Sequence, residues 1–583
     1  MNKHGAAISR AKHGRSSLSI GLLVLLARCL GAVAGLGLFV VSPRADAAVF
    51  QWSAVVDDVT SNETKDHPRA FLWIPENCQR VRAVVIADQN MEEEQLFQDP
   101  EFRKALSDLG FAEVWVVPAM GRSGERIEKL LNALGEQSGY EELEFAPLVP
   151  TGHSATDGYG YALAAWNPER VLAVLSLSGA WPIRGQAVGK NFDMVPCLTT
   201  KGEYEIQGSL EKGWYAGLKG DYLQAHPYAA FSHVVEPGDG HFSTSKEKIA
   251  LINLFLRKAA HYRLPAEMPA SGPVTLKPID AKATGCCYEV WHVNDPPSVP
   301  AAPVAEFQGK KDHYWAFDEE MAKAIEQFQG RFKNQTAVLL AYKQANGFTA
   351  PTPDHSMVHL KFEPIEDGMT FKLSGGFWDN VPATKDGKRA EWQGWLGEGV
   401  RDIKQNDPLP HPQGEENLLS IIPYCGPVAQ LAPETFAIRF NRIGTMNPKR
   451  SNDPYFMLTY AGDGTYKKMV QQAELRFPLN NTRGIPQTIG FPKIPDQKAG
   501  STMASIKLKA TSSANVPVYY YVREGPAEVD DSGTLTFAHI PPRAKYPVQV
   551  TVVAWQWGRS TEPMMQSAIP VEQTFSIDAM TAR

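Results

Sequence analysis

Several signatures are missing from this 583-residue chain, and each absence removes a class of chemistry. There is no Gly-x-x-x-x-Gly-Lys-Ser/Thr phosphate loop, no Gly-x-Gly-x-x-Gly dinucleotide fingerprint and no His-Glu-x-x-His zinc helix. Cysteine is scarce, six in all, and no two form a Cys-x-x-Cys pair, so zinc and dithiol redox readings have little to rest on. No metal and no cofactor is therefore expected. Excess positive charge is lacking too. Residues 1–47 hold six basic residues and one acidic residue, and the rest carries 52 Lys and Arg against 63 Asp and Glu, a net −11. That balance argues against nucleic acid as a partner and gives no electrostatic grip on an anionic membrane.

The N-terminus reads as a targeting segment. Lys3, Arg10, Lys12 and Arg15 precede an apolar run from Leu18 to Val41 that only Arg28 interrupts. Ala45-Asp46-Ala47 then offers the small-x-small pattern of signal-peptide cleavage. Residues 1–47 are expected to be a signal peptide cut after Ala47, giving a secreted or periplasmic protein with no stable membrane anchor. A retained anchor is the competing reading, since the apolar stretch is long enough to span. Arg28 directly precedes Cys29, so there is no lipobox, and no twin arginine occurs. Five cysteines follow the expected cut: Cys78, Cys197, Cys286, Cys287 and Cys425. Export permits disulfides. Adjacent Cys286 and Cys287 bond each other poorly. One of them is free to pair with Cys425, and an odd total leaves at least one free thiol.

What is present is a chain long enough for three or four domains of about 100–200 residues each. Hydrophobic residues make up 43%, enough for sizeable cores, and 43 prolines with 47 glycines point to many turns. Residues 48–265 alternate strands and helices. Ala70–Ile74, Val81–Ala87, Glu113–Val117, the strand into Gly152, Val171–Leu177, Pro196–Thr200 and Ser232–Val235 read as strands. Glu92–Leu109, with apolar residues at 96, 97, 102, 106 and 109, reads as one helix. So do Glu125–Leu134, Gly158–Trp166 and Lys246–Tyr262. This pattern is α/β, a parallel sheet covered on both faces, with catalytic loops at the carboxyl ends of the strands.

Residues 266–305 are proline-rich and read as a linker. Residues 306–495 read as a β-rich middle domain with one helix, Asp318–Phe332. Within it, Trp378, Trp392 and Trp395 are either core or a sugar-stacking platform, the core reading being favoured. Residues 496–583 carry short strands at close spacing: Ser505–Ala510, Val518–Val522, Thr534–Phe537 and Val548–Trp557. Turn residues separate them, a β-sandwich pattern. Asp530-Asp531 fits a turn better than a cation site. The succession from Val518 through Gly525-Pro526 and Gly533 to Trp555 resembles the small Ig-like modules appended to bacterial surface proteins. The resemblance implies spacing or adhesion and no catalytic residue.

The chemistry concentrates in Val149-Pro-Thr-Gly-His-Ser-Ala-Thr-Asp-Gly158. A strand runs into Gly152-His153-Ser154 and a helix follows, the layout that exposes a nucleophilic serine. Ser154 with Asp157 also fits a helix-capping arrangement. A serine needs a base, and the base an orienting acid. In a parallel α/β sheet these follow in the order Ser, acid, His. His241, in Gly238-Asp-Gly-His-Phe242, ends a strand just before the closing helix. The acid is expected in Lys201-Gly-Glu-Tyr-Glu205, with Glu205 first and Glu203 second.

Gly152-His-Ser-Ala155, Gly202-Glu-Tyr-Glu205 and Gly238–Phe242 resemble the nucleophile, acid and base segments of the α/β-hydrolase superfamily. The similarity is to its dienelactone-hydrolase-like and secreted esterase branches and covers roughly residues 65–262. It implies an acyl-enzyme in which Ser154 attacks an ester carbonyl, His241 relays the proton and Glu205 orients His241. It also implies oxyanion donors at the Ala155 amide and at a backbone N–H around Gln89 or Asn90. Thr156 departs from the pattern, standing where the second glycine of Gly-x-Ser-x-Gly belongs. The expected activity is carboxylic-ester hydrolysis, with an acylated polysaccharide as a candidate substrate. A serine peptidase and a non-catalytic binding protein that has kept the fold are the alternatives.

Overall fold

A computed structural model describes residues 49–179, 193–205, 229–290, 296–309, 313–352, 356–380, 407–414, 418–445, 447–500 and 503–580. The expected signal segment and Trp392 and Trp395 lie outside these residues. Among the described residues no helix is long and apolar enough to cross a membrane.

Eight strands form one sheet: β1 (Trp52–Val55), β2 (Arg69–Trp73), β3 (Ala83–Asp88), β4 (Phe111–Val117), β5 (Leu148–His153), β6 (Val174–Leu177), β7 (Cys197–Gly202) and β8 (Phe231–Glu236). Their order is β1-β2-β4-β3-β5-β6-β7-β8. β1 and β2 run antiparallel; every pairing from β4 to β8 is parallel. The central strands are mostly apolar because both faces are covered, so they show no regular alternation with polar residues. All residues of β3, β4 and β5 are buried.

The helix expected over Glu92–Leu109 is two: α1 (Met91–Leu96) and α2 (Pro100–Leu109). The break has a local cause. Pro100 has no N–H to continue α1, and the Asp99 carboxylate accepts from the Glu101 and Phe102 amides, capping a new helix. Then come α3 (Gly124–Ser138), α4 (Gly158–Trp166) and α5 (Lys246–Arg263).

The first core does not stop at residue 265. Leu276, Cys286, Tyr288, Tyr314, Trp315, Met321, Ile325 and Phe328 belong to the same apolar cluster as the eight-stranded sheet. The expected linker thus contains a strand, Cys286–Glu289, paired with His313–Ala316 and Ala302–Pro303. This small sheet covers the β8 edge. The Tyr288 hydroxyl accepts from the His233 amide at 2.9 Å and donates to the His233 carbonyl at 2.7 Å. Gln329, at the end of α6 (Glu319–Gln329), accepts from the Val235 amide. Edge groups left open would otherwise invite pairing with another chain.

A second apolar cluster joins strands of the β-rich region. Its largest sheet orders Val358–Lys361, Met469–Arg476, Tyr455–Tyr460 and Leu419–Cys425, the first pair parallel and the rest antiparallel. Trp378 is half-buried against this cluster, with Phe348 edge-on at 5.1 Å. At the C-terminal end, two sheets of four and three strands share a third cluster that includes Leu535, Val548, Val550, Val552 and Phe575. Asp530 sits in a turn, accepting from the Thr534 amide and the Ser532 hydroxyl. All five described cysteines are buried and free, so the pairing with Cys425 that the sequence allowed is not formed. Cys286 packs in the first core and Cys425 in a separate cluster with Met91 and Phe242.

Candidate active site

β5 delivers His153 and a single 3-10 turn, Ser154–Thr156, follows before α4 begins. Ser154 has φ +53°, a left-handed conformation that an L-residue with a side chain adopts only when its surroundings impose it. Gly152 is needed for the turn to close. A Cβ there would run into the Thr156 carbonyl. The competing capping role for Ser154 is not seen. Its Oγ faces His241 Nε2 at 2.7 Å, and the Asp157 amide donates to the Ser154 carbonyl.

Thr156 brings its own brace. Its Oγ1 accepts from the His153 amide at 2.9 Å and lies 2.5 Å from Glu93 Oε1. The same Glu93 oxygen accepts from the His153 amide at 2.6 Å. A glycine would supply space here; the threonine supplies a hydroxyl that ties the turn to α1. Glu93 is fully buried, and burial pushes its carboxyl up to about 8, against the pull of Thr156.

His241 is 4% exposed and stands between Ser154 and Glu205. Its Nδ1 bonds Glu205 Oε2, and the other Glu205 oxygen accepts from the Gly202 amide at 2.8 Å. Burial opposes charge on Glu205, but Lys201 and His241 outweigh it and hold the carboxyl well below the usual range. Glu203, two residues earlier, points elsewhere. It pairs with Lys467 and accepts from the Gly238 amide at 2.9 Å.

His153 lies behind the site. Burial, and then the neighbouring His241, lower its pKa and keep the imidazole neutral. Its Nε2 is 2.9 Å from the His241 carbonyl, so that nitrogen carries the proton and donates. Deeper still, Lys248 bridges Glu92 and Glu236, all three buried. Burial disfavours its charge, but the two carboxylates prevail and hold the ammonium charged. Among the described residues no group of three His, Cys, Asp or Glu side chains is arranged to hold a metal ion.

The expected oxyanion donors fare differently. Ala155 is exposed in the first turn of a helix, where amides lack intrahelical acceptors. Gln89 is not available: its amide donates to the Val116 carbonyl at 2.8 Å as part of the sheet margin. Asn90 caps α1 from an extended backbone, and its side chain donates to the His153 carbonyl at 2.6 Å.

No protein-family model and no curated protein matches this sequence. Among solved structures it is similar to a dienelactone hydrolase from Anabaena variabilis, with 15% identity over 36% of this chain and 96% of that one and a TM-score of 0.25. It is similar to an S-formylglutathione hydrolase from Agrobacterium tumefaciens, with 15% identity, 36% and 94% coverage and a TM-score of 0.25. A siderophore hydrolase from Aspergillus nidulans follows with 10% identity, 36% and 95% coverage and a TM-score of 0.27. Each of these similarities extends over about a third of this chain.

Sequence reasoning missed the partners that the eight-stranded sheet borrows from the β-rich region. Tyr204 is buried in the second apolar cluster. Lys468 pairs with Asp239, Gln472 Oε1 accepts from the Phe242 amide at 2.8 Å, and Arg450 donates to Asn90 Oδ1 at 3.1 Å. Glu94 accepts from the Gly426 amide and from Asn441. None of these residues carries a local motif. The one local oddity is the run of three consecutive glutamates, Glu92-Glu93-Glu94, in the short helix α1, where all three are buried.

Proposed function

We propose that this chain is a serine hydrolase that cleaves carboxylic esters through an acyl-enzyme. The observation that carries it is the Ser154 Oγ–His241 Nε2 contact of 2.7 Å, with Glu205 on the far nitrogen of the same ring. In this reading the Oγ–H proton passes to Nε2 as Oγ bonds the ester carbonyl carbon. The negative charge that develops on the carbonyl oxygen is met by the Ala155 and Asn90 backbone N–H groups. Collapse breaks the carbon–alkoxy bond, and the alcohol leaves with the proton from His241. Water then attacks the acyl-enzyme, His241 taking its proton and returning it to Ser154. Glu205 stays ionised throughout and fixes the proton of the resting imidazole on Nδ1, leaving Nε2 to accept.

The substrate we infer is an ester on an acylated polysaccharide met outside the cytoplasm. Support for this comes from the N-terminal targeting pattern, the β-rich regions that follow the hydrolase fold and a C-terminal pair of sheets read as an Ig-like spacer. The test is a panel of aryl acetates, acetylated xylan and feruloylated oligosaccharides assayed with wild type and Ser154→Ala. Turnover of at least one ester that vanishes in Ser154→Ala supports the reading. Equal turnover in both proteins would exclude it.

A further inference from the structure

We infer that Gln472, on a strand of the β-rich region, is a positioning residue for His241, so that the hydrolase site is completed by the second region. The inference rests on the serine-hydrolase reading above.

The peptide group between His241 and Phe242 is held from both sides. Its carbonyl accepts from His153 Nε2 at 2.9 Å, and its N–H donates to Gln472 Oε1 at 2.8 Å. Both holders are buried, at 0% and 3% exposure. The ring of His241 hangs from this peptide, so the direction of Nε2 toward Ser154 follows from how the peptide is fixed. His153 belongs to the nucleophile strand; Gln472 lies 230 residues beyond Phe242 in the chain. Removing it takes this acceptor from the buried Phe242 amide, and the loss of such a bond in a buried loop is costly.

The loop is shaped for this contact. Gly238 has φ +78°, and a side chain there would strike the Lys468 backbone. A Cβ at Gly240 would come 2.7 Å from Gln472 Oε1. The glycines of Gly238-Asp-Gly-His thus let the strand of residues 469–476 lie directly on the base loop. Neighbouring pairs fix the same register: Lys468 with Asp239 and Lys467 with Glu203, one pair on the base loop and one on the acid loop. Three anchors between residues 467 and 472 therefore bear on the loops carrying His241 and Glu205.

The experiment compares the full-length protein with Gln472→Met, which keeps the shape but removes the acceptor, and Gln472→Glu, which restores an acceptor oxygen. The readouts are kcat and KM for an aryl acetate and the rate of fluorophosphonate labelling at Ser154. In Gln472→Met, kcat and the labelling rate are expected to fall together by about 10- to 100-fold, as a misplaced catalytic group does, with KM within about twofold of wild type. In Gln472→Glu both rates are expected to recover to within about threefold of wild type. Should Gln472→Met fail to fold by thermal melting, Gln472→Asn decides; its shorter side chain withdraws the oxygen and is expected to show the same fall. Wild-type rates in a folded Met or Asn variant overturn the inference alone, and so does a fall that Glu does not recover. A wild-type protein that does not label at Ser154 overturns the hydrolase reading, and the positioning role with it.

Discussion

Glu203 and Glu205 lie two residues apart and face opposite ways: Glu205 bonds His241, while Glu203 pairs with Lys467 of the β-rich region. The two glutamates that the sequence left as competitors for one role therefore predict different failures. Glu205→Ala should lower kcat for an aryl acetate by roughly 10²–10⁴ without a matching loss of stability, because the imidazole loses its orienting partner. Glu203→Ala should instead lower the unfolding free energy by about 3–5 kcal/mol, since it leaves the Lys467 ammonium buried and unpaired. Denaturant titration of Glu203→Ala and of the double variant Glu203→Ala/Lys467→Met checks the cause. The second change should restore part of the loss.

Thr156 and Glu93 supply a second prediction. Thr156→Val keeps the shape and deletes the hydroxyl between the His153 amide and Glu93. The expected cost is about 1 kcal/mol from the lost hydroxyl bonds, since the His153 amide keeps Glu93 Oε1 as acceptor, and Thr156→Ser should recover most of it. Urea midpoints of the three proteins decide this.

The pH dependence of stability follows from the same carboxyl. Burial raises Glu93 from an ordinary value of 4.5 to about 8 in the folded protein. Between those values the unfolded chain releases this proton while the folded one retains it. Stability from this group is thus fully present below 4.5 and is lost as pH rises toward 8. Glu93→Gln removes the group from the balance. Relative to wild type, the variant should therefore be more stable at pH 8 than at pH 5, as read from paired denaturant curves at the two values.

The thiols give a prediction independent of catalysis. Cys78, Cys197, Cys286, Cys287 and Cys425 are all buried and unbonded, and burial pushes the Cys78 and Cys287 thiols up to about 11. Ellman's reagent should find essentially no fast-reacting thiol among them in the native protein and all of them in guanidinium. Reductant should leave the melting temperature unchanged. A reductant-sensitive melt would reveal a disulfide that this account denies.

Much of the eight-stranded sheet was legible because its strands are buried on both faces. Runs such as Ala83–Ala87 and Val114–Val117 stand out as apolar segments, and the helix Gly158–Trp166 lies just beyond its strand. The candidates Ser154, Glu205 and His241 were picked out for a related reason: each lies in the segment that follows a strand of that sheet. What escaped notice depends on contacts between distant segments. The buried glutamates of α1 look like a solvated face until Lys248, Thr156 and Asn441 are seen to receive them. Gln89 and Asn90 are equivalent as neighbours in sequence, and only the pairing of Gln89 with Val116 separates them. Leu276 through Phe328 joined the first core although prolines precede them, because proline marks a bend and not the limit of a core. Gln472 has no local signature at all.

The most direct measurement of the central claim is covalent. Wild-type protein and Ser154→Ala are treated with a fluorophosphonate probe, digested and analysed by mass spectrometry. Ser154, with its Oγ 2.7 Å from His241 Nε2, is predicted to carry the adduct at near-stoichiometric yield, with no labelling of Ser154→Ala or of heat-denatured wild type. Absence of an adduct on native wild type, or equal labelling of Ser154→Ala, would contradict the account.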